Sequence, residues 1–135
     1  MNTALLFEQL KDIRKTVSIP LILMGYFNPI YQYGTQRFVQ DASEAGVDGL
    51  IIVDLPPEED DLLGPAMKYC GIHRIRLLAP TSTPAWIRKA GLMGSGFLYY
   101  VSVTGVTGGK SGNLSSLRKA VRGFRQISQR PIVVV

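Results

Sequence analysis

Five short apolar runs, at residues 20–24, 47–53, 74–78, 97–101 and 131–135, alternate with segments of helical spacing, and this alternation constrains the fold more than any other feature. The runs are near-continuously apolar rather than alternating. That is how strands read when a parallel sheet is covered on both faces. Run starts recur about every 22 to 35 residues, the length that a strand–helix–strand crossover needs. The expected class is therefore α/β, with about five parallel strands alternating with helices.

The helical segments carry their own punctuation. Leu6, Leu10 and Ile13 mark a first apolar stripe, stopped by V-S-I-P at 17–20. Residues 35–45 place Phe38, Ala42 and Ala45 inward, with Gly46 at the C′ position. Pro57 opens a third helix, and Glu58, Glu59, Asp60 and Asp61 fall in its first turns, where the helix dipole favours anions. That acidic run lacks the alternation and glycine of a calcium loop, so it reads as a helix start. Leu63, Ala66, Met67 and Cys70 form its stripe, which marks Cys70 as a small core residue. Thr83-Pro84 starts a short helix in which Trp86 is expected to pack, and Leu114, Leu117, Val121 and Phe124 mark the last. No linker or composition break divides these elements, so residues 1–135 read as one domain.

Composition narrows the function classes. No apolar stretch approaches the ~20 residues that span a bilayer, so no membrane partner is expected. A single Cys excludes an internal disulfide framework and fits a reducing cytoplasm. One His and one Cys make a His/Cys metal site implausible, and His73 opens a strand at the end away from the expected chemistry. The formal charge of +5 is concentrated near the C-terminus, where Arg118, Arg122 and Arg125 lie opposite the apolar stripe. That is the pattern of a solvated helix face. No aromatic is interleaved with these charges, so nucleic acid is not an expected partner. An anionic small molecule remains compatible with the charge.

The run F-L-Y-Y-V-S-V-T-G-V-T-G-G at 97–109 carries an apolar strand into a Gly/Thr loop ahead of a helix. Glycine allows close backbone approach, and a helix N-terminus supplies positive partial charge, so such a loop suits a phosphate. Taken alone, G-x-x-G-G fits a flexible connector equally well. Residues 25–28, Asp54, 81–83 and 102–104 also fall just past strand C-terminal ends. Parallel α/β folds carry their chemistry on that edge.

Four segments in this order resemble the α subunit of tryptophan synthase: I-P-L-I-L-M-G-Y-F-N-P-I, G-V-D-G-L-I-I-V-D-L-P-P-E-E, L-A-P-T-S-T-P and Y-Y-V-S-V-T-G-V-T-G. The resemblance implies part of a TIM (β/α)8 barrel, matching strands three to seven. It implies the family's retro-aldol cleavage of indole-3-glycerol phosphate to indole and glyceraldehyde 3-phosphate, in tryptophan biosynthesis. The implied partners are a phosphate-bearing small-molecule substrate and the pyridoxal-phosphate-dependent β subunit, with no cofactor in this chain. A complete barrel needs ~250 residues. By resemblance, the family's catalytic Glu and Asp would precede Met1, so no catalytic residue is expected here and the chain alone is expected to be inactive. The alternatives are a non-catalytic remnant that binds phosphate or docks a β subunit, and another phosphate-binding TIM-barrel enzyme.

Residue by residue, the resemblance implies substrate-binding roles for Tyr26, Tyr99, Thr107 and Gly108. It implies subunit-interface roles for Asn28 and Asp54. Thr107 matches the loop Thr that closes over the site, and Gly108 the Gly whose N–H reaches the phosphate. The Gly109-Lys110 that follows departs from the family's commoner Gly-Ala-Arg ending. Ile51 fits the pocket lining and the core equally. Tyr100 alternates to the opposite strand face from Tyr99 and is expected to pack against helices.

Overall fold

The computed structural model describes residues 2–55, 57–102 and 113–135, with backbone only for Pro57, Glu58 and Asn113. It forms two compact units, residues 1–74 and residues 75–135. Each contains a three-stranded, all-parallel sheet.

The first unit runs α1 (Thr3–Arg14), β1 (Ile22–Gly25), α2 (Phe27–Tyr33), α3 (Thr35–Glu44), β2 (Gly49–Ile52), α4 (Pro57–Cys70) and β3 (His73–Arg74). Its sheet order is β1-β2-β3, in a register that sets Met24 beside Ile51 and Leu50 beside Arg74. Phe7, Leu10, Phe38, Val39, Leu50, Leu63 and Met67 fill the core between sheet and helices. Phe7 meets Phe38 at 5.1 Å and Tyr33 at 5.6 Å between ring centroids, an aromatic knot that docks α1 on α3. The end of α3 follows from its sequence. Gly46 takes φ +88°, its N–H donates to the Ser43 carbonyl, and the Val47 N–H donates to Ala42, closing a Schellman motif.

The second unit runs β4 (Arg76–Leu78), α5 (Pro84–Met93), β5 (Leu98–Tyr100), α6 (Asn113–Ile127) and β6 (Ile132–Val134), with sheet order β4-β5-β6. Leu78, Ile87, Ala90, Leu98, Tyr100 and Phe124 form its core. The Thr83 hydroxyl accepts from the Trp86 N–H at 3.1 Å, and Pro84 takes the first helical turn, as the Thr-Pro pair predicts.

Four expectations need correction. Residues 74–78 are two short strands, not one: β3 pairs with β2 and β4 with β5, and the ladder breaks at Ile75. Residues 27–33, of which only 27 and 28 were placed and those as polar strand-end positions, form helix α2. Ile13 is exposed, because the last turn of α1 is held by charge instead of apolar contact. There Arg14 donates to the Ile19 carbonyl and to the Asp48 carboxylate, each at 2.6 Å, and Asp48 also accepts from the Leu21 N–H at 2.8 Å. Trp86 and Leu114 are exposed rather than packed, although the Trp86 indole N–H reaches the Leu77 carbonyl at 3.2 Å.

Candidate functional site

The C-terminal ends of β1 and β2 are stitched together by one carboxylate. The Val53 N–H donates to the Gly25 carbonyl at 2.9 Å, continuing the ladder past the last paired residues. Tyr26 occupies the N-cap of α2 but makes no side-chain capping bond. The first helical amide, that of Phe27, donates instead to the Asp54 carboxylate at 2.6 Å. An anion at a helix N-terminus gains both a charge-assisted hydrogen bond and a favourable dipole. Asp54 therefore caps a helix that begins on the neighbouring strand. Tyr26 is 65% exposed, and Asn28 lies exposed in the first turn of the same helix. Tyr26, Asn28 and Asp54 thus share one strand-end edge of the first unit.

Ile51 lies in register with Met24, on the sheet face opposite Leu50 and Ile52, which belong to the helix-side core. It is nonetheless buried. A cavity of about 220 Å³ along the open edge of β1 is lined by Leu6, Leu23, Tyr26, Pro29, Ile30 and Ile51. Its lining is mostly apolar, with Asn2 and Thr3 as polar members.

In the second unit, strand alternation separates the two tyrosines. Tyr100 is buried and packs on Phe124 at 4.8 Å, and burial raises its phenol pKa above the usual 10.0. Tyr99 belongs to the other face, in one register row with Leu77 and Val133. It is half-buried. Ser82 and Thr83, which fall on the edge expected to carry chemistry, build the turn itself: the Ser82 hydroxyl accepts from the Ala79 N–H at 2.8 Å, and Thr83 caps α5. A cavity of about 510 Å³ opens between α5 and α6, lined by Ser82, Ile87, Tyr100, Ser102, Leu117 and Phe124. It lies on the Tyr100 face, so Tyr99 does not reach it. Thr107 and Gly108 lie outside the described residues.

Two clusters went unread in the sequence. The Tyr33 hydroxyl donates to the Asp41 carboxylate, and Arg37 stacks on the Tyr33 ring at 4.8 Å. The hydrogen bond to Asp41 raises the Tyr33 phenol pKa above 10.0, desolvation adds to this, and Arg37 opposes it. The buried carboxylate of Asp60 accepts from Arg74, which runs over Gly64. A Cβ on Gly64 would stand 2.5 Å from the guanidinium. The i, i+4 spacing of Arg37 and Asp41 was legible, but the partner of Asp60 was not.

Among the described residues, no group of three or more His, Cys, Asp or Glu side chains is gathered to hold a metal. Cys70 is half-buried on α4, and its carbonyl accepts from the Ser43 hydroxyl at 2.9 Å. His73 is exposed at the start of β3. No helix among the described residues is long and apolar enough to cross a membrane.

The family model described as "Tryptophan synthase alpha chain" matches residues 1–135. The tryptophan synthase alpha chain of Geotalea uraniireducens (strain Rf4) is 50% identical over 124 residues, covering 92% of this chain and 46% of that protein. That of Citrifermentans bemidjiense is 47% identical over 129 residues, covering 96% and 48%. Among solved structures, a mutant tryptophan synthase alpha-subunit from Pyrococcus furiosus superposes with a TM-score of 0.85 at 29% identity, covering 96% of this chain and 51% of that one. A protein from Aquifex aeolicus VF5 superposes with a TM-score of 0.82 at 36% identity, covering 95% and 48%. The chain spans about half the length of the curated relatives it matches.

Proposed function

The chain belongs to the tryptophan synthase alpha chain family, with the fold of part of a (β/α)8 barrel, and from that premise we propose that it acts as a binding fragment rather than a working lyase. The family reaction cleaves indole-3-glycerol phosphate. It needs one proton delivered to the departing indole carbon and another taken from the adjacent hydroxyl.

The distribution of carboxylates carries this reading. Residues 75–135, which contain Tyr99, Thr107 and Gly108, hold no Asp or Glu. In residues 1–74, four of the ten carboxylates are held by structural partners: Asp54 by the Phe27 amide, Asp60 by Arg74, Asp48 by Arg14 and the Leu21 amide, and Asp41 by Tyr33. A general acid or base must first face the proton it moves, and these carboxylates face structural donors instead.

What the chain retains is suited to holding ligand. The row of Leu77, Tyr99 and Val133 offers an apolar face for an indole ring, and Tyr26 offers a second aromatic. Thr107 and Gly108 are the residues proposed to meet a phosphate. Asn28, with the α2 terminus that Asp54 fixes, is the surface proposed to meet a β subunit. In this reading residues 1–135 act as one barrel-type domain.

The test pairs an indole-release assay on indole-3-glycerol phosphate with calorimetric titration of glycerol 3-phosphate. Release should not exceed the no-enzyme rate, with or without added β subunit. Binding should be saturable and should vanish in Gly108→Glu, which sets a carboxylate against the phosphate. Release above background overturns the non-catalytic reading. Absence of binding overturns the ligand-holding one.

A further inference from the structure

Two surfaces remain unused by the site, and they are complementary. The outward face of α4 exposes Leu62 and Tyr69 at 65% and 93%, with Pro65 between them and Asp61 and Glu59 at their N-terminal end. Asp60, on the inward face, is taken by Arg74. The outward face of α6 exposes Leu114 at 55%, followed by Arg118, Arg122 and Arg125, all exposed. On α5, which packs beside α6, Leu92 is 84% exposed and flanked by exposed Arg88 and Lys89.

Charge makes the pairing directional. Residues 75–135 carry nine Lys or Arg and no carboxylate, whereas residues 1–74 carry six Lys or Arg and ten Asp or Glu. A field of one sign offers no acceptor to its own kind, so a second basic surface is repelled and an acidic one attracted. Exposed leucines inside that field favour a protein partner with apolar anchors, since a phosphate polymer would leave them uncovered.

We propose that α4 of one copy of this chain docks antiparallel onto the α6 face of a second copy. The spacing of the end pairs matches, and Arg125 lies one residue beyond the position opposite Glu59. Asp61 to Tyr69 is eight residues, and Leu114 to Arg122 is also eight. Laid antiparallel, Asp61 and Glu59 meet Arg122 and Arg125 while Tyr69 covers Leu114, over about 12 Å of helix at 1.5 Å per residue. The contact is heterologous, joining two different surfaces of the same chain.

Sedimentation velocity on the full 135-residue chain tests this. Association is expected at low salt and reversal at high salt, where screening shortens to about 3 Å at 1 M. Arg122→Glu with Arg125→Glu, and separately Glu59→Lys with Asp61→Lys, should each weaken association by at least roughly tenfold, since like charges then face each other. An equimolar mixture of the two variants should associate again, because every α4–α6 contact between them pairs opposite charges. Asp61, Arg122 and Arg125 are exposed and Glu59 is half-buried, and circular dichroism checks that each variant folds. A monodisperse monomer at low salt overturns the proposal. So does association that survives both reversals, as pairing through the open edges of β1 and β6 would, and so does a mixture that stays monomeric.

Discussion

The two units build similar parallel ladders but fasten them with different chemistry. In residues 1–74, carboxylates tie elements together: Asp48 binds the end of α1 to the start of β1, Asp54 binds the end of β2 to α2, and Asp60 clamps Arg74 beneath α4. Residues 75–135 have no carboxylate to use. There the corresponding ties are neutral or borrow a backbone acceptor. Ser82 closes its turn on Ala79, Trp86 reaches the Leu77 carbonyl, and Arg130 donates to the Gly91 carbonyl at 2.7 Å. A cationic unit can thus still tie its backbone together, with hydroxyls and carbonyls in place of anions.

The largest effect that would sharpen this contrast is at Asp60. Its side chain is 8% exposed and that of Arg74 20%, so Asp60→Ala leaves a largely buried guanidinium without its anion. Breaking such a pair costs about 3–5 kcal/mol. Urea denaturation should show that loss, and a change under ~1 kcal/mol would mean the ion pair contributes little. No single polar substitution in residues 75–135 should match it.

A smaller effect is expected at the strand ends. Asp54→Ala removes the cap of α2 and should cost about 1 kcal/mol, with faster hydrogen exchange at the Phe27 amide. Its neutral counterpart, Ser82→Ala, should cost about 0.5–1.5 kcal/mol and speed exchange at Ala79. If Asp54→Ala left the Phe27 amide protected, the cap would have to come from another group.

The smallest effect is alkaline. Tyr33 and Tyr100 both have phenol pKa values raised above 10.0, Tyr33 chiefly by its hydrogen bond to Asp41 and Tyr100 by burial. A raised folded-state pKa means the folded protein holds its proton more tightly. The stabilisation is full below the ordinary phenol value and is lost as pH rises through the folded values. Phenolate absorbance should show two tyrosines titrating late, one fewer in Tyr33→Phe. Late titration of only Tyr100 in the parent chain would break the parallel between the units.

Much of this molecule was legible because short-range physics wrote it. The positive-φ turn at Gly46, the Thr83-Pro84 cap and the opposition of Phe124 to Arg118, Arg122 and Arg125 each depend on residues within a turn or two of one another. The alternation of apolar runs and helical stripes likewise gave the parallel α/β plan, and four segments gave the family resemblance. The candidate site was legible as a set of strand-end positions, but not as partners.

What only the tertiary structure decided are the links made across strands. Helix α2 escaped the sequence because its cap, Asp54, is 27 residues away from Phe27 and becomes a neighbour only through β1–β2 pairing. The break between β3 and β4 escaped for the same reason: which strand each half pairs with is a property of the ladder, not of the run 74–78. The row that sets Tyr99 with Leu77 and Val133 exists only once the register is fixed. Local periodicity specifies which face a residue takes, because backbone geometry repeats every few residues. Which distant residue it then meets is set by packing and register, and that information is shared among several strands at once.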